Sequence, residues 1–241
     1  MKIDINSDVG ESFGIYTLGN DAALMPYITS ANIACGFHAG DPFVMKRTVA
    51  LALKHYVKIG AHPGFDDLAG FGRKTMNISP AEVGPLMHYQ IGALYGIVRA
   101  QGGELHHVKP HGALYNMAVK SDVLAEAVVV AVKAFNPALF LYGLPNSALE
   151  RAAHKYDLPF KAEIYADRNL TDEGMLVPRD ASNAMIHDVD VSAEQIMRVI
   201  EEGCALSVHG KCIPMRGETV CVHGDNPAAV TFAKTLYARL K

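Results

Sequence analysis

A dense group of titratable side chains occupies the stretch HHVKPHGALYN, residues 106–116. Imidazoles can move protons or bind metals near neutral pH, and a lysine can hold an anion. His111 stands two residues after Lys109, and Pro110 restricts the chain between them. We therefore predict that Lys109 and His111 act in catalysis. His106 and His107 are consecutive in a strand, so only one of them can face the interior of the fold. We predict structural roles for both.

Polar residues also end most of the other strand candidates. In a parallel barrel these ends lie on one rim, where barrel active sites are built. Six of the seven strand candidates end in such groups, which are Asn6, Asp8 and Glu11; His38 and Asp41; His62; Lys109 and His111; Glu163, Asp167 and Arg168; and His223 and Asp225. The glycine-containing loop GAHPGFDDLAGFGRKT adds Arg73 and Lys74 after the third strand. We therefore predict one shared polar site.

Two sets of roles follow from the residue types. Carboxylates and histidines can activate water or move protons, and cations can hold a carboxylate or phosphate. The predicted catalytic residues are Asp8, Lys109, His111 and Asp225. The predicted substrate- or phosphate-binding residues are Glu11, Arg73, Lys74, Glu163, Asp167, Arg168 and His223. Two alternatives stay open, in which Asp225 or Asn226 only caps the last helix and Asp167 pairs with Arg168 to tie a loop.

A metal site is a further alternative. Asp8, His38 and His62 form a carboxylate and two-imidazole set that suits zinc, manganese or iron and leaves positions open for substrate. The sequence has no H-x-x-x-H or H-E-x-x-H motif that would fix the geometry. The divalent metal therefore stays open at this point.

The elements that position these residues alternate between strands and helices. Such alternation predicts an α/β fold with parallel strands and crossover helices. The strand candidates are KIDINSD, ANIAC, VKIGAH, LHHVKP, LFLYGL, FKAEIYA and TVCVHGD. Helices are predicted to start at Asp41-Pro42, Ser79-Pro80, Ser121, Ser192 and Asn226-Pro227. Residues 204–222 carry turn signals that predict a small hairpin leading into the last strand.

Composition narrows the class of protein. With 22 basic and 25 acidic residues and no basic cluster, nucleic-acid binding is not expected. Neither a signal peptide nor an apolar segment long enough for a membrane is recognisable, so we expect a cytoplasmic protein. The four cysteines lack metal-site spacing and are expected to be reduced thiols. No linker divides the chain, which predicts one domain over residues 1–241.

At these residues the chain resembles the LamB/YcsF family. The matching blocks are DINSDVGESFG, SANIACGFHAGDP, IGAHPGFDDLAGFGRKTM, HHVKPHGALYN, EIYADRNLTDEGMLVPR and CVHGDNP. Lys74 stands where an arginine is more usual in the family. NLTDEG is an atypical version of the segment that follows Asp167-Arg168. The resemblance implies a seven-stranded parallel (β/α) barrel of the glycoside hydrolase/deacetylase type. It also implies opening of 5-oxo-L-proline to L-glutamate with ATP and Mg²⁺, together with two partner subunits.

Two other functions remain open from the sequence. A metal-dependent amide or acetyl hydrolase of the deacetylase type would need no ATP. A non-catalytic subunit that only binds the substrate would also use acidic, basic and cationic groups.

Overall fold

Seven parallel strands close into a barrel in chain order, so that each strand pairs with the next and the last pairs with the first. The computed structural model describes residues 3–240. The barrel strands are β1 (Asp4–Val9), β2 (Ser30–Ala34), β3 (Lys58–His62), β4 (Leu105–Val108), β5 (Phe140–Gly143), β6 (Phe160–Tyr165) and β9 (Thr219–His223). All seven predicted strands and the barrel fold are confirmed. Lys2, in the first strand candidate, lies outside the described residues.

Helices surround the barrel and connect most of its strands. They are α1 (Asp21–Leu24), α2 (Pro42–Lys54), α3 (Pro80–Ala100), α4 (Gly112–Lys120), α5 (Asp122–Phe135), α6 (Ala148–Lys155), α7 (Val189–Glu202) and α8 (Ala229–Leu240). The predicted starts of α2, α3 and α5 are confirmed. At α2, the Asp41 side chain accepts from the backbone N–H groups of Phe43 and Val44. Within residues 3–240, no helix is both long and apolar enough to cross a membrane.

Two helix starts differ from the prediction. α7 begins at Val189 because Asp188 caps it, and Ser192 lies inside the helix, where its hydroxyl donates to the Ala166 carbonyl. α8 begins at Ala229, two residues after the predicted proline. The Asn226 side chain accepts from the backbone N–H of residue 228, so the capping turn precedes the first helical residue.

The predicted hairpin is present as β7 (Cys204–Leu206) and β8 (Cys212–Pro214), which pair antiparallel. This pairing brings Cys204 and Cys212 together, with 5.7 Å between their Cα atoms, and they form a disulfide. The prediction of four reduced thiols was therefore wrong for this pair. Cys35 and Cys221 are free and buried.

The inner face of the barrel is polar rather than filled with branched apolar side chains. His107 Nε2 lies 2.7 Å from Asn32 Oδ1, and Asn32 Nδ2 donates to Asn6 Oδ1 at 2.7 Å. The Tyr142 hydroxyl donates to Asp4 Oδ2 at 3.2 Å. Two of these bonds join strands that are not neighbours, so the side chains meet in the barrel interior. Buried polar groups are tolerated there because they satisfy one another.

Candidate functional site

The carboxyl ends of the strands surround a cavity of about 490 Å³. Seven of the residues singled out from the sequence line it, which are Asp8, His62, Arg73, Lys109, His111, Arg168 and His223. Residues 175–180 of the loop after β6 form another part of its wall. Six predicted site residues do not line the cavity, which are Glu11, His38, Lys74, Glu163, Asp167 and Asp225. Lys74 is exposed, whereas Glu11, His38, Glu163 and Asp167 are buried behind the wall.

Lys109 is the buried cation at the centre of the wall. Its Nζ lies 2.9 Å from Asp8 Oδ1 and 2.9 Å from Glu163 Oε1, and it donates to Cys221 Sγ at 3.0 Å. Burial alone would lower the pKa of Lys109, but Asp8, Cys221 and Glu163 outweigh it and hold the pKa well above its usual value. Lys109 is therefore charged, and Glu163 neutralises it from behind rather than facing a ligand.

Asp8 is held on several sides. Besides the Lys109 contact, it accepts from Asn32 Nδ2 at 2.8 Å, and its Oδ2 lies 3.3 Å from His62 Nε2. Burial would raise the pKa of Asp8, but His62 and Lys109 outweigh it and hold the pKa well below its usual value. Asp8 is therefore an ionised carboxylate that fixes the lysine and the histidine next to the cavity.

His223 and Asp167 form a second pair beside the cavity. His223 Nδ1 lies 2.8 Å from Asp167 Oδ1, so Nδ1 carries the proton and donates to the carboxylate. Burial would raise the pKa of Asp167, but His223 outweighs it and the pKa is lowered. In the neutral ring Nε2 is then unprotonated, as in a general base oriented by a carboxylate. Asp167 thus pairs with His223, and not with Arg168 as the loop-tying alternative required.

Two arginines bring positive charge to the cavity. Arg168 is 4% exposed and donates from its Nη2 to the carbonyl of Val177, while its buried Nε has no partner among residues 3–240. Arg73 Nη2 lies 2.6 Å from Asp225 Oδ2 at the rim. Asp225, which does not line the cavity, is therefore paired with Arg73 at the rim, and Asn226 supplies the cap of α8.

A second group of side chains lies directly beside the cavity. Glu11, His38, His62 and His111 are buried, and one ligand atom from each falls within 4.8 Å of the others. Burial lowers the pKa of His38 and His111 well below the usual value, and burial together with Asp8 raises the pKa of Glu11 well above it. These four side chains could hold a metal ion.

This histidine cluster differs from the predicted metal set. His38 and His62 belong to it, but Asp8 falls in an adjacent group with Cys221 and His223. One Asp8 oxygen holds Lys109 and the other lies 3.3 Å from His62, whereas Glu11 Oε1 lies between two of the histidines, 3.4 Å from His38 Nε2 and 3.8 Å from His111 Nδ1. Glu11, predicted to bind substrate or phosphate, is therefore placed among the histidines.

The glycine-containing loop after β3 packs against the histidine cluster. A Cβ added at Gly64 would lie 2.9 Å from His38 Nδ1, and one at Gly72 would lie 2.7 Å from His38 Cβ. The carbonyl of Phe71 accepts from His111 Nε2 at 2.8 Å. The main chain of this loop thus lies close against His38 and His111.

Several residues in or next to the cavity wall were missed by the sequence reasoning. Tyr165 lies two positions after Glu163, and Cys221 lies two before His223, so strand alternation would have placed each on the face already identified. The Tyr165 hydroxyl donates to Glu163 Oε2 at 2.7 Å. Arg179 lines the cavity from an irregular loop, where no periodic pattern points to it.

The chain is similar to known proteins over nearly all of its length. The LamB/YcsF family model matches residues 3–241. A protein of Shouchella clausii that is named as a subunit of 5-oxoprolinase is 54% identical over 239 residues, 99% of this chain and 94% of the relative. The protein of the same name from Brevibacillus brevis is 53% identical over 234 residues, 97% of this chain and 92% of the relative.

Solved structures agree with the barrel fold. The lactam utilization protein of Thermus thermophilus superposes with a TM-score of 0.93 and 42% identity, covering 100% of this chain and 96% of that one. A putative cellobiose-phosphate cleavage protein of Enterococcus faecalis shares the fold alone, with a TM-score of 0.52 and 14% identity, covering 97% and 89% of the two chains. On the family match and these identities, the chain belongs to the LamB/YcsF family.

Proposed function

We propose that this chain, as one barrel domain, is the lactam-opening subunit of an ATP-dependent 5-oxoprolinase. The reaction would convert 5-oxo-L-proline, ATP and two water molecules into L-glutamate, ADP and phosphate, in a complex with two partner subunits. Relatives at about half identity are named as one subunit of 5-oxoprolinase, and that name points to a multi-protein complex. The Thermus protein, with its lactam utilization name, supports the same substrate class.

The observation that carries the proposal is the buried Arg168 in the cavity wall. Its Nε has no partner among the described residues, and a buried guanidinium donor left unpaired is costly. Arg168 lines the cavity, and a ligand carboxylate there would bind its guanidinium with a charge-assisted hydrogen bond. The cavity, at about 490 Å³, is within the usual range for small-molecule sites of roughly 300–1,000 Å³. The carboxylate of 5-oxoproline fits this requirement.

The His223–Asp167 pair is the best placed group to activate water. His223 Nε2 would take a proton from water as the water oxygen adds to the lactam carbonyl carbon. The carbon–nitrogen bond then breaks, and the ring nitrogen receives a proton to become the amine of glutamate. Because the lactam oxygen carries the phosphoryl group from ATP, this step leaves an acyl phosphate, and a second water releases phosphate from it. Asp8 and Lys109, held together at 2.9 Å, would fix the polar wall against which the ring lies. His111 Nε2 is held by the Phe71 carbonyl, and its Nδ1 faces His62 within the histidine cluster, which favours His223 as the base.

ATP would bind the assembled complex and activate the lactam. The sequence has no G-x-x-x-x-G-K-[ST] phosphate loop. An unstrained five-membered amide is a poor electrophile, and phosphorylation of its oxygen would make the ring carbon reactive toward water. The Mg²⁺ would arrive with the nucleotide.

Kinetics of the assembled complex test this proposal. Arg168→Gln should raise the KM for 5-oxoproline at least about tenfold, because a charge-assisted hydrogen bond contributes roughly 1.5–3 kcal/mol. Arg151→Gln is the matched control, since Arg151 pairs with Asp122 on the exposed surface. An unchanged KM in the Arg168 variant would contradict the assignment of the carboxylate site.

A further inference from the structure

The histidine cluster Glu11, His38, His62 and His111 has a feature that hydrogen bonding within the protein leaves unresolved. We propose that these four side chains bind one divalent first-row transition-metal ion, of which zinc is the representative. The ring orientations of His62 and His111 carry the proposal. It goes beyond the proposed function, which assigns no step to a metal on this chain.

The protonated nitrogen of His62 is determined by its main-chain partner. His62 Nδ1 lies 2.7 Å from the carbonyl oxygen of Lys109. A carbonyl oxygen can only accept, so Nδ1 carries the hydrogen and donates it. In the neutral ring, His62 Nε2 therefore presents a lone pair.

The loop after β3 fixes the tautomer of His111, in which the other ring nitrogen, Nε2, is the protonated one. Its Nε2 lies 2.8 Å from the carbonyl oxygen of Phe71, so this nitrogen carries the hydrogen. His111 Nδ1 then presents a lone pair, and it lies 2.9 Å from His62 Nε2. His62 Nε2 and His111 Nδ1 thus face each other, with Asp8 Oδ2 3.3 Å from His62 Nε2. This distance requires either one hydrogen, which would make one ring an imidazolium beside Asp8, or one metal cation in its place.

This arrangement is the usual one for histidines that bind metals. Metal-ligating histidines donate the second ring N–H to a carbonyl or carboxylate, which fixes the tautomer and aims the free nitrogen at the ion. His62 and His111 both have such a carbonyl partner. The structure therefore supplies the supporting shell as well as the ligand atoms.

Glu11 and His38 complete the ligand set. Glu11 Oε1 lies 3.4 Å from His38 Nε2 and 3.8 Å from His111 Nδ1. Metal–ligand bonds of about 2.0–2.1 Å in a tetrahedron separate neighbouring ligand atoms by about 3.3 Å. These two distances and the 2.9 Å between His62 Nε2 and His111 Nδ1 lie on either side of this value, and all four ligand atoms fall within 4.8 Å of one another. An ion therefore fits once the side chains adjust.

The chemistry of the ligands selects the class of ion. Three imidazoles and one carboxylate suit zinc and its first-row neighbours, whereas Mg²⁺ prefers an all-oxygen set. His62 and His111 also line the cavity. An ion bound there would act as a Lewis acid on an oxygen atom of a small molecule in the cavity. This last consequence rests on the proposed function.

Metal titration of the whole purified chain tests the binding without any activity measurement. The protein is treated with a chelator, desalted and titrated with Co²⁺ and Zn²⁺. We expect one equivalent of either ion, visible d–d absorption from Co²⁺, and no displacement by excess Mg²⁺. X-ray absorption of the zinc-loaded protein should count three imidazole ligands. No stoichiometric binding, or displacement by Mg²⁺, would overturn the proposal.

Variants locate the ion. His62→Gln and His111→Gln should each weaken Co²⁺ binding at least about a hundredfold, since loss of even an outer partner of a ligand costs about 10–100-fold. His154→Gln is the control, because His154 is largely exposed on α6. Circular dichroism checks the fold of each variant. Wild-type affinity in folded His62 and His111 variants would refute the site, whatever the outcome of the 5-oxoproline assays.

Discussion

Replacing Lys109 by methionine tests the charge balance of the cavity wall. Methionine keeps an unbranched side chain but removes the cation, which leaves Asp8 and Glu163 buried without their shared partner. Both carboxylates lie 2.9 Å from Lys109 Nζ, and all three side chains are at most 5% exposed. Removing one partner of a buried ion pair costs about 3–5 kcal/mol. Because two contacts are lost here, we expect the upper part of that range.

Urea unfolding followed by circular dichroism measures this cost. The double variant Lys109→Met/Glu163→Gln should recover part of it, about 1–3 kcal/mol, because an amide replaces one uncompensated carboxylate. Lys155→Met is the matched control, since Lys155 pairs with Glu126 at 2.6 Å on the surface and should change stability little. A loss below about 1 kcal/mol in the Lys109 variant, or no recovery in the double variant, would refute the reasoning.

Three further predictions concern the barrel interior and rim. Gly60→Ala should lower the free energy of unfolding by about 1–3 kcal/mol, because the added Cβ would lie 2.1 Å from His107 Nε2. Gly92→Ala is the control and should not destabilise the protein, because a Cβ at Gly92 in helix α3 meets open space. Burial lowers the pKa of His107 well below its usual value, so only the unfolded chain binds a proton there just below about pH 6.5. His107 should therefore contribute a fall of about 1.4 kcal/mol per pH unit to the free energy of unfolding below about pH 6.5. His107→Gln should reduce the total slope by this amount in pH-dependent urea titrations, and buried histidines such as His38 and His111 should supply the slope that remains. Arg73→Gln should change thermal stability by less than about 1 kcal/mol, because its pair with Asp225 is partly exposed, and a larger loss would contradict that view.

The barrel and the residues at its strand ends were predictable because both depend on local patterns. Strand alternation and parallel connections place Asp8, Lys109 and His223 at one end of the barrel without further information. The start of α7 was mispredicted because Ser192 has capping-box spacing with Gln195, yet Asp188 supplies the cap. Local spacing alone does not decide between two competing caps.

The internal division of the site was not predictable from the sequence. Whether Asp8 or Glu11 joins the histidines depends on how Lys109 crosses the barrel, and this is a contact between residues 101 positions apart. The tautomers of His62 and His111 depend on carbonyls of Lys109 and Phe71, which have no side-chain signature. The Cys204–Cys212 disulfide likewise depends on the register of a short hairpin.

Product release by the reconstituted complex tests the central claim most directly. Glutamate and phosphate are measured from 5-oxoproline and MgATP, with this chain and its two partner proteins present, and again with His223→Gln in place of the wild type. We expect glutamate and phosphate in equal amounts with the wild type, and loss of glutamate when the chain is omitted or carries the substitution. Undiminished glutamate formation without this chain, or none from a verified three-protein complex, would contradict the claim.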